Sequence, residues 1–198
     1  LNPVPTQLST EALVDLLETQ MMSRLLDIIS RRLSAQKQSF YTIGSAGHEG
    51  NAAVAKALRH NDMAFLHYRS CAFAIQRAKQ VAGTSPLYDT LLAFCASSDD
   101  PVSGGRHKVI GAKNLFIPPQ TSTIASHLPK AVGAAHALGL YGKLSHEPMG
   151  MDADNLIVCS FGDASANHST AQGAINSATW ASYQHSPMPI LFICEDNG

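Results

Sequence analysis

Two stretches of the chain stop abruptly on oxygen-bearing side chains. NLIVCSFGDASANHST, from Asn155, runs through apolar, strand-forming residues and ends on Asp163. PILFICEDNG, from Pro189, does the same and ends on Glu195, Asp196 and Asn197. Between them, STAQGAINSATWASYQ carries Ala171, Ala174, Ile175 and Ala178 at helical spacing. Strand, helix and strand make a right-handed βαβ unit, whose two parallel strands bring their carboxyl ends to one edge of the sheet. Asp163 and Asn197 are thereby expected close together, at the edge where open α/β sheets bind ligands. The intervening helix points its amino end, with unpaired N–H groups and a partial positive charge, at the same place. A carboxylate, an amide oxygen and an anion-binding helix end describe a site for Mg²⁺ and a diphosphate. Mg²⁺ takes octahedral oxygen ligands, one or two from protein and the rest from phosphate and water. The same pattern also fits a helix-capping Asp163 and a turn-forming Asn197, and pattern alone leaves both readings open.

The rest of the chain has to position these residues. After a Pro-rich lead-in, Thr10 and Glu11 open a long amphipathic helix with Leu13, Leu17, Met21, Leu25 and Ile28 at helical spacing, its Met21–Met22 pair read as core. A loop with Gly44 and Gly47 leads into a small-residue helix from about His48 to Leu58. MAFLHYRS is a short strand running into Tyr68 and Arg69, followed by one helix from Ser70 and another in PLYDTLLAFCAS. SSDDPVSGGRHKVIGAKNLFIPPQTST reads as one long irregular stretch, a length that marks function or disorder. Its Ile110, Leu115, Phe116 and Ile117 argue against disorder. SHLPKAVGAAHALGLYGK is a helix opened by Pro129, with Gly133, Ala134, Ala135 and Ala137 letting another backbone approach. Strands alternating with helices predict an α/β fold, a parallel sheet covered by helices on both faces. Residues 1–35 form the lead-in and amphipathic helix, and residues 36–198 the α/β domain.

Composition narrows the partners. The net charge of −1 gives no reason to expect nucleic acid. Charged residues are 15% of the chain, below the roughly 25% of soluble domains, which suits a surface buried against other protein or simply a weakly charged one. Cys71, Cys95, Cys159 and Cys194 form no CxxC pair, and two of them lie in the apolar strands as small hydrophobes, which suggests a reducing compartment. No membrane span or signal peptide is expected, and Leu1 in place of Met suggests a trimmed amino terminus. None of the nine histidines falls in a zinc spacing.

The stretch from GDASANHST to CEDNG resembles the thiamine diphosphate motif, which opens Gly-Asp-Gly and closes Asn-Asn. Three further blocks agree in order: SFYTIGSAGHEGNAAVAKALRHNDMAFLHYRS, GGRHKVIGAKN and TSTIASHLPKAVGAAHA. Over residues 10–198 the chain is similar to the amino-terminal and central part of the alpha subunit of a 2-oxo acid dehydrogenase, in its first, decarboxylating component. The resemblance implies the diphosphate-binding half of a thiamine diphosphate-binding fold, with thiamine diphosphate and Mg²⁺ as cofactors. It implies Asp163 and Asn197 as magnesium ligands, a further main-chain ligand lying past Gly198, and Gly162, Ala164 and Ser165 completing the cofactor-binding turn. Tyr68 and Arg69 match the pair that holds the diphosphate, and main-chain groups around Ser122 and Ile124 would face the aminopyrimidine. Phe40, Tyr41 and His67 match positions lining the substrate's approach. His107 and His127 match positions near the cofactor, where a structural histidine is preferred over a substrate-binding one; His168 is read as a helix-terminus residue. The implied reaction is oxidative decarboxylation of a 2-oxo acid with acyl transfer to a lipoyl group. The activating glutamate would come from a beta subunit or fused beta half, within a heterotetramer or equivalent dimer serving a lipoyl-bearing acyltransferase. The implied place is the cytoplasm of a bacterium or a mitochondrial matrix, and the chain is expected to be a fragment of a longer polypeptide.

Departures from the family pattern bear on these expectations. Ala164 replaces the third motif residue, Gly, and is tolerable where φ is negative. Asp196 replaces an Asn, and SYQHSPM looks like an insertion between helix and strand, where length is tolerated. Cys71 stands where pyruvate-type members often carry a His after Tyr-Arg, which, with SFY and HEG, leans towards the branched-chain type. Other readings are a transketolase-like or other thiamine diphosphate enzyme, a non-catalytic nucleotide-binding module, and a scaffold subunit with a degenerate site.

Overall fold

The strand that carries Asp163 at its end is buried along its whole length, and the fold is arranged around that burial. The structure, a computed structural model, describes residues 8–40, 43–106, 109–144 and 150–198. Strand β4 (Ile157–Gly162) lies between β1 (Ala64–Phe65) and β5 (Ile190–Glu195), and both pairings are parallel. On one face Ile157, Cys159 and Phe161, with Phe65, pack against Leu128, Ala131, Ala135 and Leu138 of α5 (Leu128–Leu144) and Ala171 and Ala174 of α6 (Ser169–Tyr183). On the other, Ala64, Leu66 and Val158 pack against Ala55 of α2 (Asn51–Ala57) and Phe73 and Ala78 of α3 (Cys71–Ala78). Successive residues of a strand point to opposite faces, so a strand buried on both sides must read as an unbroken apolar run, as this one does. Each fully buried Leu, Ile or Phe in these clusters contributes about 1.5–3 kcal/mol. The start of β4 is tied to the approach to β1: the Asp62 carboxylate accepts from Asn155 Nδ2 (2.6 Å) and Leu156 N (3.1 Å). The expected parallel sheet, covered by helices on both faces, is therefore present.

Helix α1 (Thr10–Ala35) packs with the opposite facing to the one its periodicity predicts. Leu13, Leu17, Met21, Leu25 and Ile28 are 43–56% exposed, while Thr19, Ser23, Asp27 and Ser30 are buried beside Leu16 and Leu26. Met22 packs beside Leu26 and Phe94, so the core reading of the methionine pair holds for Met22 and fails for Met21. Hydrogen bonds are the reason. Thr19 Oγ1 donates to Gln76 Oε1 (2.6 Å), Ser23 Oγ meets Ser45 Oγ (2.9 Å), and the Asp27 carboxylate accepts from Ser45 N (2.9 and 3.0 Å). A polar face can be buried when every group finds a partner, and spacing rules do not register partners.

Other elements also differ from expectation. The long irregular stretch contains an antiparallel pair, β2 (Ile110–Ala112) and β3 (Ile117–Gln120), hidden in the sequence by its brevity and by Pro118 and Pro119. Helix α2 begins at Asn51 rather than His48, whereas α3 and α4 (Pro86–Phe94) fall in their expected places with minor trimming. Cys159 is buried as expected, whereas Cys194 is exposed on β5, which pairs only with β4 among the described residues. In α5 nothing approaches Gly133, and Ala137 is exposed; the close backbone contact falls at Gly139, against Pro187 of the α6–β5 loop.

A Cβ at Gly139 would overlap the Pro187 carbonyl, whereas one at Gly133 would meet open space. Gly139→Ala is expected to cost about 1–3 kcal/mol, and Gly133→Ala to stabilise by roughly 0.5–1 kcal/mol through helix propensity. Thermal unfolding of the two variants checks this; equal midpoints would contradict the packing at Gly139.

Candidate cation and diphosphate site

Register brings the two candidate ligands to one edge. Gly162 of β4 lies opposite Glu195 of β5, so Asp163 and the Asp196–Asn197 pair leave the sheet together at its carboxyl end. Asp163 opens a 3₁₀ turn (Asp163–Ser165); its carboxylate is exposed and has no side-chain hydrogen bond or ion pair among the described residues. Asn197, also exposed, donates Nδ2 to the Ala46 carbonyl (3.1 Å), which leaves its Oδ1 as the group turned to other partners. Ala164 sits in the 3₁₀ turn with negative φ, so the methyl that replaces a glycine's hydrogen is accommodated without backbone strain. Gly162 has φ −72, and Ser165 is buried below the turn. Asp196 Oδ1 accepts from Gly198 N (3.0 Å), a turn contact an Asn would also make. Helix α6 starts at Ser169, beyond the 3₁₀ turn, with His168 as its N-cap: the ring Nδ1 accepts from Thr170 N (3.2 Å).

Partial burial, then the carboxylates of Asp163, Asp196 and Glu195, raise the Cys194 thiol above its ordinary value. Three negative groups thus converge around one residue. Among the described residues no cluster of three or more His, Cys, Asp or Glu side chains is arranged to hold a metal, so the candidate side-chain donors to a cation here are Asp163 and Asn197. An unpaired carboxylate with an amide oxygen is a donor set compatible with Mg²⁺ that takes its other ligands from phosphate and water, and in that chemistry the residues fit the group.

Glu195, although it ends a strand as Asp163 does, turns inward. It is 9% exposed and accepts from His48 Nδ1 (2.6 Å), Asn51 Nδ2 (3.2 Å) and Ser70 Oγ (2.9 Å). Burial alone would raise its carboxyl; hydrogen bonds from His48, Ser160 and Ser70 outweigh that and hold it below the ordinary carboxylate value. Ile193 and Glu195 share the face towards α2 and α3, and period-two alternation on β5 was the one sequence signal that could have separated Glu195 from Asp196. His48, Asn51, Ser70 and Ser160 were not singled out by the sequence.

Tyr68 and Arg69 follow β1 at the same edge. Arg69 Nη1 donates to the Gly44 carbonyl (2.6 Å), and its guanidinium lies 5.3 Å from the centre of the Tyr68 ring. Both line a cavity of about 100 Å³, mostly walled by apolar side chains that include Ile43, Ala74, Leu115 and Ile117. His67, expected on the substrate's approach, is instead 4% exposed, between the rings of His48 (4.7 Å) and Tyr68 (4.0 Å). Burial and the neighbouring His48 push His67 down to about 3. His127 is also buried; its Nε2 donates to the Ser160 carbonyl (2.7 Å), and burial lowers it despite that bond. Phe40 is 77% exposed, and Ser122 and Ile124 are exposed in the turn before α5. Tyr41 and His107 lie outside the described residues.

Residues 17–198, which include every segment of this edge, match the family described as dehydrogenase E1 component. The chain belongs to that family. It is 25% identical over 194 residues to the mitochondrial 2-oxoisovalerate dehydrogenase subunit alpha of Homo sapiens, covering 96% of this chain and 39% of that protein. The Mus musculus counterpart is 28% identical over 162 residues, 81% of this chain and 32% of its own length. The mitochondrial subunit alpha 2 of Arabidopsis thaliana is 28% identical over 198 residues, 97% of this chain and 37% of its length. The chain of this E1 family member thus spans well under half the length of the curated relatives it matches.

The buried histidines set the acid response. A histidine held neutral in the fold, such as His67 at about 3, binds its proton only after unfolding at any pH between about 3 and 6.5. Stability is then full above pH 6.5 and falls as pH drops through that window, and Glu195 adds a further loss below 4.5, its ordinary value. Unfolding midpoints are expected to fall between pH 6.5 and about 5, and His67→Asn to flatten that slope. An unchanged slope in the variant would contradict the burial of His67.

Proposed function

We propose that this chain holds the diphosphate and Mg²⁺ of thiamine diphosphate in a 2-oxo acid dehydrogenase, which decarboxylates a 2-oxo acid oxidatively and transfers the acyl group to a lipoyl arm. The observation that carries the reading is the pairing of an unpartnered Asp163 carboxylate with an oriented Asn197 amide at the carboxyl edge of a parallel sheet. Asp163 and Asn197 are assigned to the metal, with the main-chain ligand implied past Gly198 and oxygens of phosphate and water to complete its shell. Arg69 offers a planar guanidinium fork matched to phosphate oxygens, and Tyr68 braces it through the ring contact. Gly162, Ala164 and Ser165 shape the turn beneath the diphosphate. The main chain around Ser122 and Ile124 is assigned to the aminopyrimidine.

Thiamine diphosphate, when bound, supplies the electron sink for loss of carbon dioxide. The residues of this chain grip and orient it. The glutamate that activates the aminopyrimidine is assigned to a beta subunit or fused beta half, in a heterotetramer or equivalent dimer that serves a lipoyl-bearing acyltransferase. Two supports favour a branched-chain 2-oxo acid: the names of the relatives, and the largely apolar cavity beside Arg69, which accepts an aliphatic side chain at less cost than a polar one. Phe40 and Tyr41 are assigned to the substrate's approach. His67 and His127, both buried, serve the architecture of the edge. The place of action follows the same reading, the mitochondrial matrix in a eukaryote or the cytoplasm in a bacterium. Among the described residues no helix is long and apolar enough to cross a membrane.

Titration of thiamine diphosphate into the full-length protein, with and without Mg²⁺, tests the cofactor site. Binding is expected to require the metal and to be lost in Asp163→Ala. Arg69→Ala should weaken it roughly tenfold to a hundredfold, the range of a hydrogen bond to a charged group. Binding indifferent to Mg²⁺ and to Asp163 would favour a degenerate scaffold. Carbon dioxide release without reduction of an artificial acceptor would favour another class of thiamine diphosphate enzyme.

A further inference from the structure

The loop between α1 and α2 touches both halves of the proposed site without contributing a ligand to either. Its Gly44 carbonyl accepts from Arg69, and its Ala46 carbonyl accepts from Asn197. Gly47, at φ 84, lies so close to Asn197 that a Cβ there would overlap the Asn197 side chain. The loop is anchored on both sides. Ser45 donates its N–H and hydroxyl to Asp27 of α1. His48 and Asn51 donate to Glu195, the carboxylate two residues ahead of Asn197. Glu195 also accepts from Ser70, the residue after Arg69. The segments that bear Asn197 and Arg69 are therefore each fastened to this loop by a direct contact and again through Glu195.

We propose that the loop Gly44–Asn51 is a positioning element that holds Asn197 and Arg69 in one frame, locked by the buried His48–Glu195 hydrogen bond and the Gly47–Asn197 contact. The proposal rests on the thiamine diphosphate reading above. Mg²⁺ demands near-ideal octahedral geometry, so a small drift of Asn197 relative to Asp163 is costly. Groups that orient metal ligands from behind are worth about tenfold to a hundredfold in metal affinity.

The test uses the full-length protein together with its beta half. Calorimetry reads Mg²⁺-dependent binding of thiamine diphosphate, and hydrogen exchange reads the amides of residues 44–51 in the ligand-free protein. His48→Ala is expected to weaken binding by about tenfold to a hundredfold and to speed exchange across the loop. His48→Asn places an amide donor where the ring Nδ1 sits, and is expected to restore most of the affinity. Gly47→Ala changes an exposed loop position outside the core, so it keeps the test open if His48→Ala fails to fold. It should lose affinity to a similar degree, with a modest drop in unfolding midpoint from its positive φ and the Asn197 contact, the protein staying folded at the temperature of the titration. Wild-type protein that fails to bind overturns the cofactor reading and this proposal with it. Wild-type binding that both loop variants keep within about twofold overturns the positioning role alone.

Discussion

Glu195 carries a negative charge into a place that water barely reaches, and much of the functional edge is arranged to make that tolerable. A buried carboxylate without partners loses several kcal/mol of hydration. Here the donors come from three places: His48 in the loop before α2, Asn51 at the start of α2, and Ser70 ahead of α3. Satisfying one carboxylate therefore draws three remote segments against the end of β5. The histidine rings stack above it, and Ser160, inside β4, joins the network from below by accepting His67 N. What looks like a set of separate loops at the end of a sheet is one hydrogen-bonded assembly.

Inside and outside are also divided unusually in α1. Its polar residues are spent inward, on Gln76 and Ser45, and a row of large aliphatic side chains faces out. The inward bonds connect this helix to the functional edge, because Asp27 fixes Ser45 and the neighbouring Gly44 carbonyl receives Arg69. Two short steps of hydrogen bonding thus run from the buried side of α1 to the site.

Much of this could be read in the sequence. β4 declared itself because a strand buried on both faces leaves a continuous apolar run, and β5 carries a similar run although it is half exposed. The parallel crossover then brought Asp163 and the Asp196–Asn197 pair to the same edge of the sheet. Other features were hidden for definite reasons. The partners that let α1 bury its polar face lie 22 and 57 residues away, at Ser45 and Gln76. The β2–β3 pair is built from strands of three and four residues, one of them with two prolines. Glu195 and Asp196 look alike in a string of letters; their opposite roles are decided by His48 and Asn51, 147 and 144 residues earlier.

The α6–β5 loop, with Pro187 seated on Gly139, joins β5 at its amino end, the far side of the sheet from Asp163 and Asn197. Six paired positions from Ile157↔Ile190 to Gly162↔Glu195 stand between that loop and the ligand edge. The unit thus has a loop end and a ligand-candidate end. Chain added at the loop end lies at the surface, provided Pro187 keeps its seat on Gly139, while the span across the other end stays that of two neighbouring strands. The number of residues between Asp163 and Asn197 is free to drift; the number of ångströms is not.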